Sequence, residues 1–214
     1  MQRGKTLAAA QKKPLVTRNS VRIIAGRWRG RLLRFPTALE LRPTPDRVRE
    51  TLFNWLQRPV VDARCLDLCA GSGALGFEAL SRGAAEIVLV ERDVAVARAL
   101  RASAALLGSP QALIVVADAR GYLQGPPRPF DVVFLDPPFA SGLLPELCTL
   151  LEQRGWLAPR AYVYLENAVS DAVVPLPDGW EAVRETRAGE VRGVLAQRRG
   201  TADPAAGGER TDGR

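Results

Sequence analysis

The segment RCLDLCAGSGALGFEALS, residues 64–81, constrains the fold of this chain most. Arg64 to Leu68 reads as a short buried strand, and it runs into a loop with Gly71, Gly73 and Gly76 at G-x-G-x-x-G spacing. A helix from about Ala74 to Ser81 follows at once. Glycines at those places let the chain turn tightly and let the helix start close to the sheet. The alternation then repeats. Strands are expected at Glu86 to Val90, Leu113 to Ala117, Val132 to Leu135 and Tyr162 to Leu165, with helices at Val94 to Leu107 and Leu143 to Arg154. Two weaker strands, Glu181 to Thr186 and Val191 to Gln197, should close the fold as an antiparallel hairpin. The expectation is an α/β, Rossmann-like fold with a mostly parallel sheet and helices on both faces.

The 214 residues suffice for one domain with appendages. The divisions expected are a disordered basic arm over 1–19, a hairpin and helix over 20–58, the strand–helix series over 59–199 and a polar disordered tail over 200–214. The formal net charge is +7, carried mainly by arginine, which favours an anionic partner such as nucleic acid over a neutral metabolite. No apolar run approaches the roughly 18 residues a membrane span needs, so no membrane partner is expected. The N-terminal MQRGKTLAAAQKKP lacks the apolar core of a signal peptide. Cys65, Cys69 and Cys148 contain no second close pair, so no metal is expected and the thiols read as small core residues of a cytoplasmic, reducing environment.

Before the strand–helix series, VRIIAGRWRGRLLRF suggests a short twisted hairpin punctuated by Gly26 and Gly30. Arg22, Arg27, Arg29, Arg31 and Arg34 fall among Trp28 and Phe35, with no acid between Val21 and Phe35. Guanidiniums for phosphates and rings for bases suit an RNA-binding surface; the plainer reading is a charged, solvated β-edge. A helix should follow Arg42-Pro43-Thr44-Pro45, with Thr44 as cap, Pro45 at its first position and Asp46 at its positive end. Val48, Leu52, Trp55 and Leu56 form its apolar stripe, with Arg47 and Arg49 off it.

The glycine loop admits two cofactors, a nicotinamide dinucleotide and S-adenosylmethionine. Glu91 lies about twenty residues on and would bind ribose hydroxyls in either case. Asp67 discriminates. Its negative charge is unfavourable beside a pyrophosphate but suits the ammonium of a methionine moiety. Asp118, after the third strand, would accept from an adenine amine. Ala70 and Ala119 flank these positions, as does Arg92, so the expected cofactor set is Asp67, Ala70, Gly71, Gly73, Glu91, Arg92, Asp118 and Ala119.

The chemistry is expected at DVVFLDPPF, residues 131–139. The apolar run ends in Asp136, and two prolines stop the ladder, which holds a carboxylate at the carboxyl end of a strand. An exocyclic amine of a nucleobase is a poor nucleophile because its lone pair is delocalised into the ring. Two acceptors aimed at its N–H groups, the Asp136 carboxylate and the Pro137 carbonyl, would favour a pyramidal nitrogen and free that pair. The rigid Pro137-Pro138 unit fixes the carbonyl, and Phe139 offers a face on which an extruded base stacks, worth roughly 1–3 kcal/mol. Such catalysis is positioning and electrostatics and needs no strong base, in keeping with a chain that has no histidine. Asp-Pro-Pro-Phe resembles the signature of amino-methyltransferases acting on adenine, cytosine or guanine.

Together, RIIAGRWRGRLL, LRPTPDRVRETLFNWL, DLCAGSGALGFEALSRGA and FLDPPF closely resemble the bacterial RsmD family over residues 20 to 198. That resemblance implies a class I S-adenosylmethionine-dependent methyltransferase fold with a small N-terminal basic β-hairpin extension. It implies methylation of the N2 amine of a particular guanine in 16S rRNA, the expected partner being that RNA in a small-subunit assembly particle. Carried over by position, Asp67, Gly71 and Gly73 resemble the cofactor loop, Glu91 the ribose ligand, Asp118 the adenine ligand, and Asp136 to Phe139 the catalytic tetrad. Cys69 departs from the phenylalanine common in relatives, which implies a thinner apolar wall beside the methionine. A DNA adenine or cytosine amino-methyltransferase is disfavoured because no target-recognition domain is evident. A non-catalytic RNA-binding assembly factor would need neither the glycine loop nor Asp-Pro-Pro-Phe.

Overall fold

The computed structural model describes residues 18–36 and 44–200. The expectations for an N-terminal arm and a C-terminal tail fall almost wholly outside the described residues. An antiparallel hairpin, β1 (Arg18–Arg22) with β2 (Leu32–Pro36), opens the chain, and α1 (Asp46–Trp55) follows. Next come β3 (Arg64–Asp67), α2 (Ala74–Ser81), β4 (Glu86–Glu91), α3 (Val94–Leu107), β5 (Ala112–Val116) and α4 (Ala119–Leu123). Then β6 (Phe130–Leu135), α5 (Leu144–Gln153), β7 (Leu157–Ala168), β8 (Trp180–Ala188) and β9 (Val191–Arg198) complete it.

Seven strands form one sheet in the order β5-β4-β3-β6-β7-β9-β8. The first five are parallel, and β9 runs antiparallel to both β7 and β8. The chain winds outward from β3 to β5, then returns to place β6 on the other side of β3. The switch point of the sheet therefore lies between β3 and β6, where ligands enter folds of this kind. One face buries Leu52 and Phe53 of α1, Leu75 and Phe77 of α2, Leu100 of α3 and Val21 and Leu33 of the hairpin. The other buries Leu123 of α4, Leu147 and Leu151 of α5, and Trp156.

Local signals set the long helices. Asp93 caps α3 by accepting from the Ala95 and Val96 N–H groups, and Gly108 ends it in the left-handed conformation. Three local expectations fail. Thr44 makes no capping bond to α1; Pro45 holds that position instead. Arg49, expected off the apolar stripe, is fully buried. The strand expected over four residues at Tyr162 is the twelve-residue β7.

The hairpin is fastened to α2. Glu78, fully buried, accepts from the Ile24 N–H (2.7 Å), the Ala25 N–H (3.0 Å) and Arg82 Nε (2.7 Å), with Arg49 Nη1 at 3.9 Å. The Arg27 N–H donates to the Ser81 carbonyl and the Trp28 N–H to its hydroxyl. Gly26 (φ +81°) is required here, because a Cβ would stand 1.8 Å from the Ser81 carbonyl oxygen.

Candidate active site

Five neighbouring strands each lead to a carboxylate at the same end of the sheet. In sheet order these are Asp118 beyond β5, Glu91 on β4, Asp67 on β3, Asp136 beyond β6 and Glu166 on β7. Among the described residues, none of the five has an ion-pair partner.

Asp67 is buried at the switch point. Its Oδ2 accepts from the Gly76 N–H at 3.2 Å and the Cys69 N–H lies near the carboxylate, whereas its Oδ1 is buried with no hydrogen-bond partner. Burial raises its pKa to about 7, against the lowering effect of those two N–H groups. The loop between them is tight: Gly71 and Gly73 both have positive φ, and the Gly73 N–H donates to the Ala70 carbonyl at 2.7 Å. A Cβ on Gly73 would lie 2.7 Å from side-chain carbons of Leu100 and Phe77. Glu91 spans the loop, its Oε2 accepting from the Gly71 N–H (2.9 Å) and its Oε1 from the Asp93 N–H (2.8 Å).

Asp118 caps α4 through Oδ1, which accepts from the Arg120 and Gly121 N–H groups at 3.0 and 3.3 Å. Ala119 is buried at the start of that helix, and Arg92 is exposed beside Glu91. Each carboxylate has about four acceptor sites, so these bonds leave Glu91 and Asp118 able to accept from a ligand as well.

Asp136 is partly buried. The Thr44 hydroxyl donates to its Oδ2 at 3.3 Å, and burial, followed by the charges of Glu166 and Asp67, holds its carboxyl well above the usual range. Pro137 is buried, Pro138 exposed, and Phe139 opens a 3-10 turn with its ring 39 % exposed. Cys69 is half-buried among Asp67, Asp136, Glu91 and Asp118, and burial and these acids push its thiol up, away from thiolate character. Cys65 and Cys148 are buried and free, in line with a core role.

The structure thus brings together the residues picked out in the glycine loop and Asp-Pro-Pro-Phe, and groups the arginines elsewhere. Arg22, Arg27, Arg29, Arg31 and Arg34 are exposed on the hairpin and the turn that joins its strands. Trp28 is partly buried against the core, and the Arg27 guanidinium lies 3.9 Å from its ring centroid. Sequence reasoning missed Thr44, Tyr164 and Glu166. Glu166 carried a signal, an acid directly after an apolar strand, as at Asp67 and Asp136. Thr44 carried none.

The family model described as conserved hypothetical protein 95 matches residues 21–197. Ribosomal RNA small subunit methyltransferase D of Escherichia coli (strain K12) is 50% identical over 178 residues, 83% of this chain and 90% of that relative. The protein of the same name from Haemophilus influenzae is 43% identical over 184 residues, 84% of this chain and 95% of its own. Among solved structures, the putative methyltransferase yhhF from Escherichia coli aligns with a TM-score of 0.80 at 46% identity, covering 86% of this chain and 100% of that one.

Proposed function

The chain belongs to the family described as conserved hypothetical protein 95, the RsmD family of small-subunit ribosomal RNA methyltransferases, and from that premise we propose that it methylates the N2 amine of one guanine in 16S rRNA using S-adenosylmethionine. It is an rRNA methyltransferase on the class I methyltransferase fold. The observation that carries the finer reading is the buried, unpartnered Asp67 Oδ1 beside a row of acids without cations. A buried acceptor without a donor is costly, and a ligand ammonium would relieve it. The residues present therefore fit S-adenosylmethionine, which supplies an electrophilic methyl group when bound.

In this reading Asp67 accepts from the methionine ammonium, Glu91 from the ribose hydroxyls and Asp118 from the adenine amine. Ala70, Gly71 and Gly73 shape the loop around the methionine, and Arg92 and Ala119 border the nucleoside. Asp136 and the Pro137 carbonyl accept the two N–H groups of the target amine and hold its nitrogen pyramidal, while the exposed Phe139 ring stacks on the extruded base. The exposed arginines of the hairpin and its turn, with Trp28, dock the RNA by its phosphates. The substrate we take to be 16S rRNA in a small-subunit assembly particle, met in the cytoplasm; among the described residues no helix is long and apolar enough to cross a membrane.

The test is methylation of 16S rRNA, naked and in small subunits from cells lacking this chain, with mass mapping of the product. Asp136→Ala should abolish turnover while cofactor binding persists, since the lost acceptor serves the incoming amine. Asp136→Asn should retain slow activity through its amide oxygen. Near wild-type kcat in Asp136→Ala removes the site assignment, and a methyl group on another base removes the guanine assignment.

A further inference from the structure

Methylation of an exocyclic amine leaves the nitrogen with one proton too many, and Asp136 is the titratable group that faces it in the reading above. A second carboxylate stands behind Asp136. β6 and β7 pair in parallel with Leu135 opposite Leu165, so Asp136 and Glu166 emerge side by side at the next position. The Thr44 hydroxyl, 3.3 Å from Asp136 Oδ2, is also near enough to Glu166 to lower its pKa. Tyr164 donates its hydroxyl proton to Glu166 Oε2 at 2.8 Å. Thr44, Tyr164 and Glu166 are all buried, Glu166 being 2 % exposed. Opposite Glu166 on β9 stands Gly193, where a Cβ would come 2.5 Å from the Tyr164 hydroxyl, so the missing side chain leaves that hydroxyl its place.

We infer that Glu166, linked to Asp136 through the Thr44 hydroxyl, acts as a positioning residue that stores the proton lost by the target amine. The inference rests on the reading of Asp136 as the acceptor of that amine. As the nitrogen lone pair bonds to the methyl carbon, the electrons of the broken carbon–sulfur bond stay on sulfur. The N–H electrons then return to nitrogen, and the proton passes to the Asp136 carboxylate, whose Oδ2 faces Thr44. Once protonated, Asp136 becomes the donor to Thr44 Oγ1, and the Thr44 hydroxyl turns from Asp136 to Glu166 and passes its own proton there. One proton leaves the amine, one arrives on Glu166, and no other reactant is needed.

The surroundings suit a shared proton. The titratable groups facing the pair are Asp67, Cys69 and Tyr164, and none of them supplies a positive charge. Two neighbouring carboxylates, Glu166 buried and Asp136 partly so, cannot both ionise cheaply without a cation. Burial raises Glu166 to about 7 and pushes Asp136 up as well, so the pair exchanges a proton near neutrality.

Glu166→Gln keeps the volume and an acceptor for Tyr164 but removes the titrating group. Single-turnover methylation at saturating RNA and cofactor, followed against pH, should lose about tenfold or more in rate with KM values unchanged. Its acid limb should move down by about one pH unit or more, because Asp136 then titrates without a like charge beside it. Infrared titration of the cofactor-free protein gives a readout independent of activity. A protonated-carboxyl band that disappears between about pH 6 and 8 in the wild type should be diminished in Glu166→Gln, with the contribution of Asp67 remaining. Thr44→Ser should behave as wild type, and Thr44→Val should lose rate as Glu166→Gln does but keep the carboxyl band and show no downward move of the acid limb, a comparison that stands even if Glu166→Gln fails to fold. An acid limb unmoved in Glu166→Gln, an undiminished band, or full activity in Thr44→Val overturns the proton store. If Asp136→Ala is inactive in the same assays, the site reading survives that failure; if it is active, the site reading fails with it.

Discussion

Asp67 weakens the fold that carries it. Its pKa of about 7 lies above the value near 3.9 of an unfolded aspartate. Between those values the folded chain holds a proton that the unfolded chain has released, so stability falls as pH rises from about 4 to 7. Glu166 and Asp136, also raised by burial, add in the same direction. The cofactor-free protein should therefore melt at a lower temperature at pH 8 than at pH 5.5. Asp67→Asn should raise the melting temperature at pH 8 and flatten the dependence. Calorimetric titration should show the same substitution weakening S-adenosylmethionine by about 1.5–3 kcal/mol, the scale of a charge-assisted hydrogen bond. A variant that gains stability yet keeps wild-type affinity would separate the orphaned Oδ1 from the ligand and remove Asp67 from the site.

At the scale of elements, the hairpin and α2 behave as one piece because Glu78 accepts from two hairpin N–H groups and faces two arginines. Glu78→Ala leaves the buried Arg49 with only the exposed Asp46 as its acid, and leaves two N–H groups without acceptors. Chemical denaturation should report a loss of about 3–5 kcal/mol, the scale of a broken buried pair. A loss under about 1 kcal/mol would show the hairpin to be held by its apolar contacts and the Ser81 hydrogen bonds rather than by Glu78. This fastening was illegible in the sequence because Glu78 lies about fifty residues from the N–H groups it receives. The helices at Ala74–Ser81 and Val94–Leu107 were legible to the residue, since apolar periodicity, Asp93 and Gly108 act locally. Arg49 misled because what covers it is distant: besides Asp46 in its own helix it reaches the Arg22 carbonyl and faces Glu78, neither of which is near it in sequence. Thr44 looked like a cap, but Asp136, 92 residues away, holds its hydroxyl. Within the candidate site the acids at Asp67, Glu91, Asp118 and Asp136 stood out because apolar strands lead straight into them. Glu166 followed the strand expected at Tyr162 to Leu165 just as Asp136 follows Val132 to Leu135, but no glycine loop or proline pair marked it as one of the row.

Across the whole molecule, charge is separated by function: uncompensated acids at the strand ends and exposed arginines on the hairpin and its turn. The proposal that these arginines dock RNA predicts an effect on affinity alone, because their side chains take no part in the carboxylate row. Arg27 lies over Trp28 and Arg31 makes one long bond to the Leu106 carbonyl (3.4 Å), so truncating them costs the fold little. Suppose Arg27, Arg29 and Arg31 each neutralise one phosphate of a locally single-stranded target. Counterion release then gives a slope of about −0.7 per contact in log affinity against log salt, roughly −2 together. By the same relation a fourfold rise in salt weakens these contacts about twentyfold. Replacing all three by glutamine should flatten the measured slope by about two units, while S-adenosylmethionine affinity stays put. Single-turnover methylation at saturating RNA should persist if the hairpin docks the substrate without orienting the extruded base. An unchanged salt slope in the triple variant would place the RNA surface elsewhere, and the arginines would then serve only to keep this edge of the hairpin solvated.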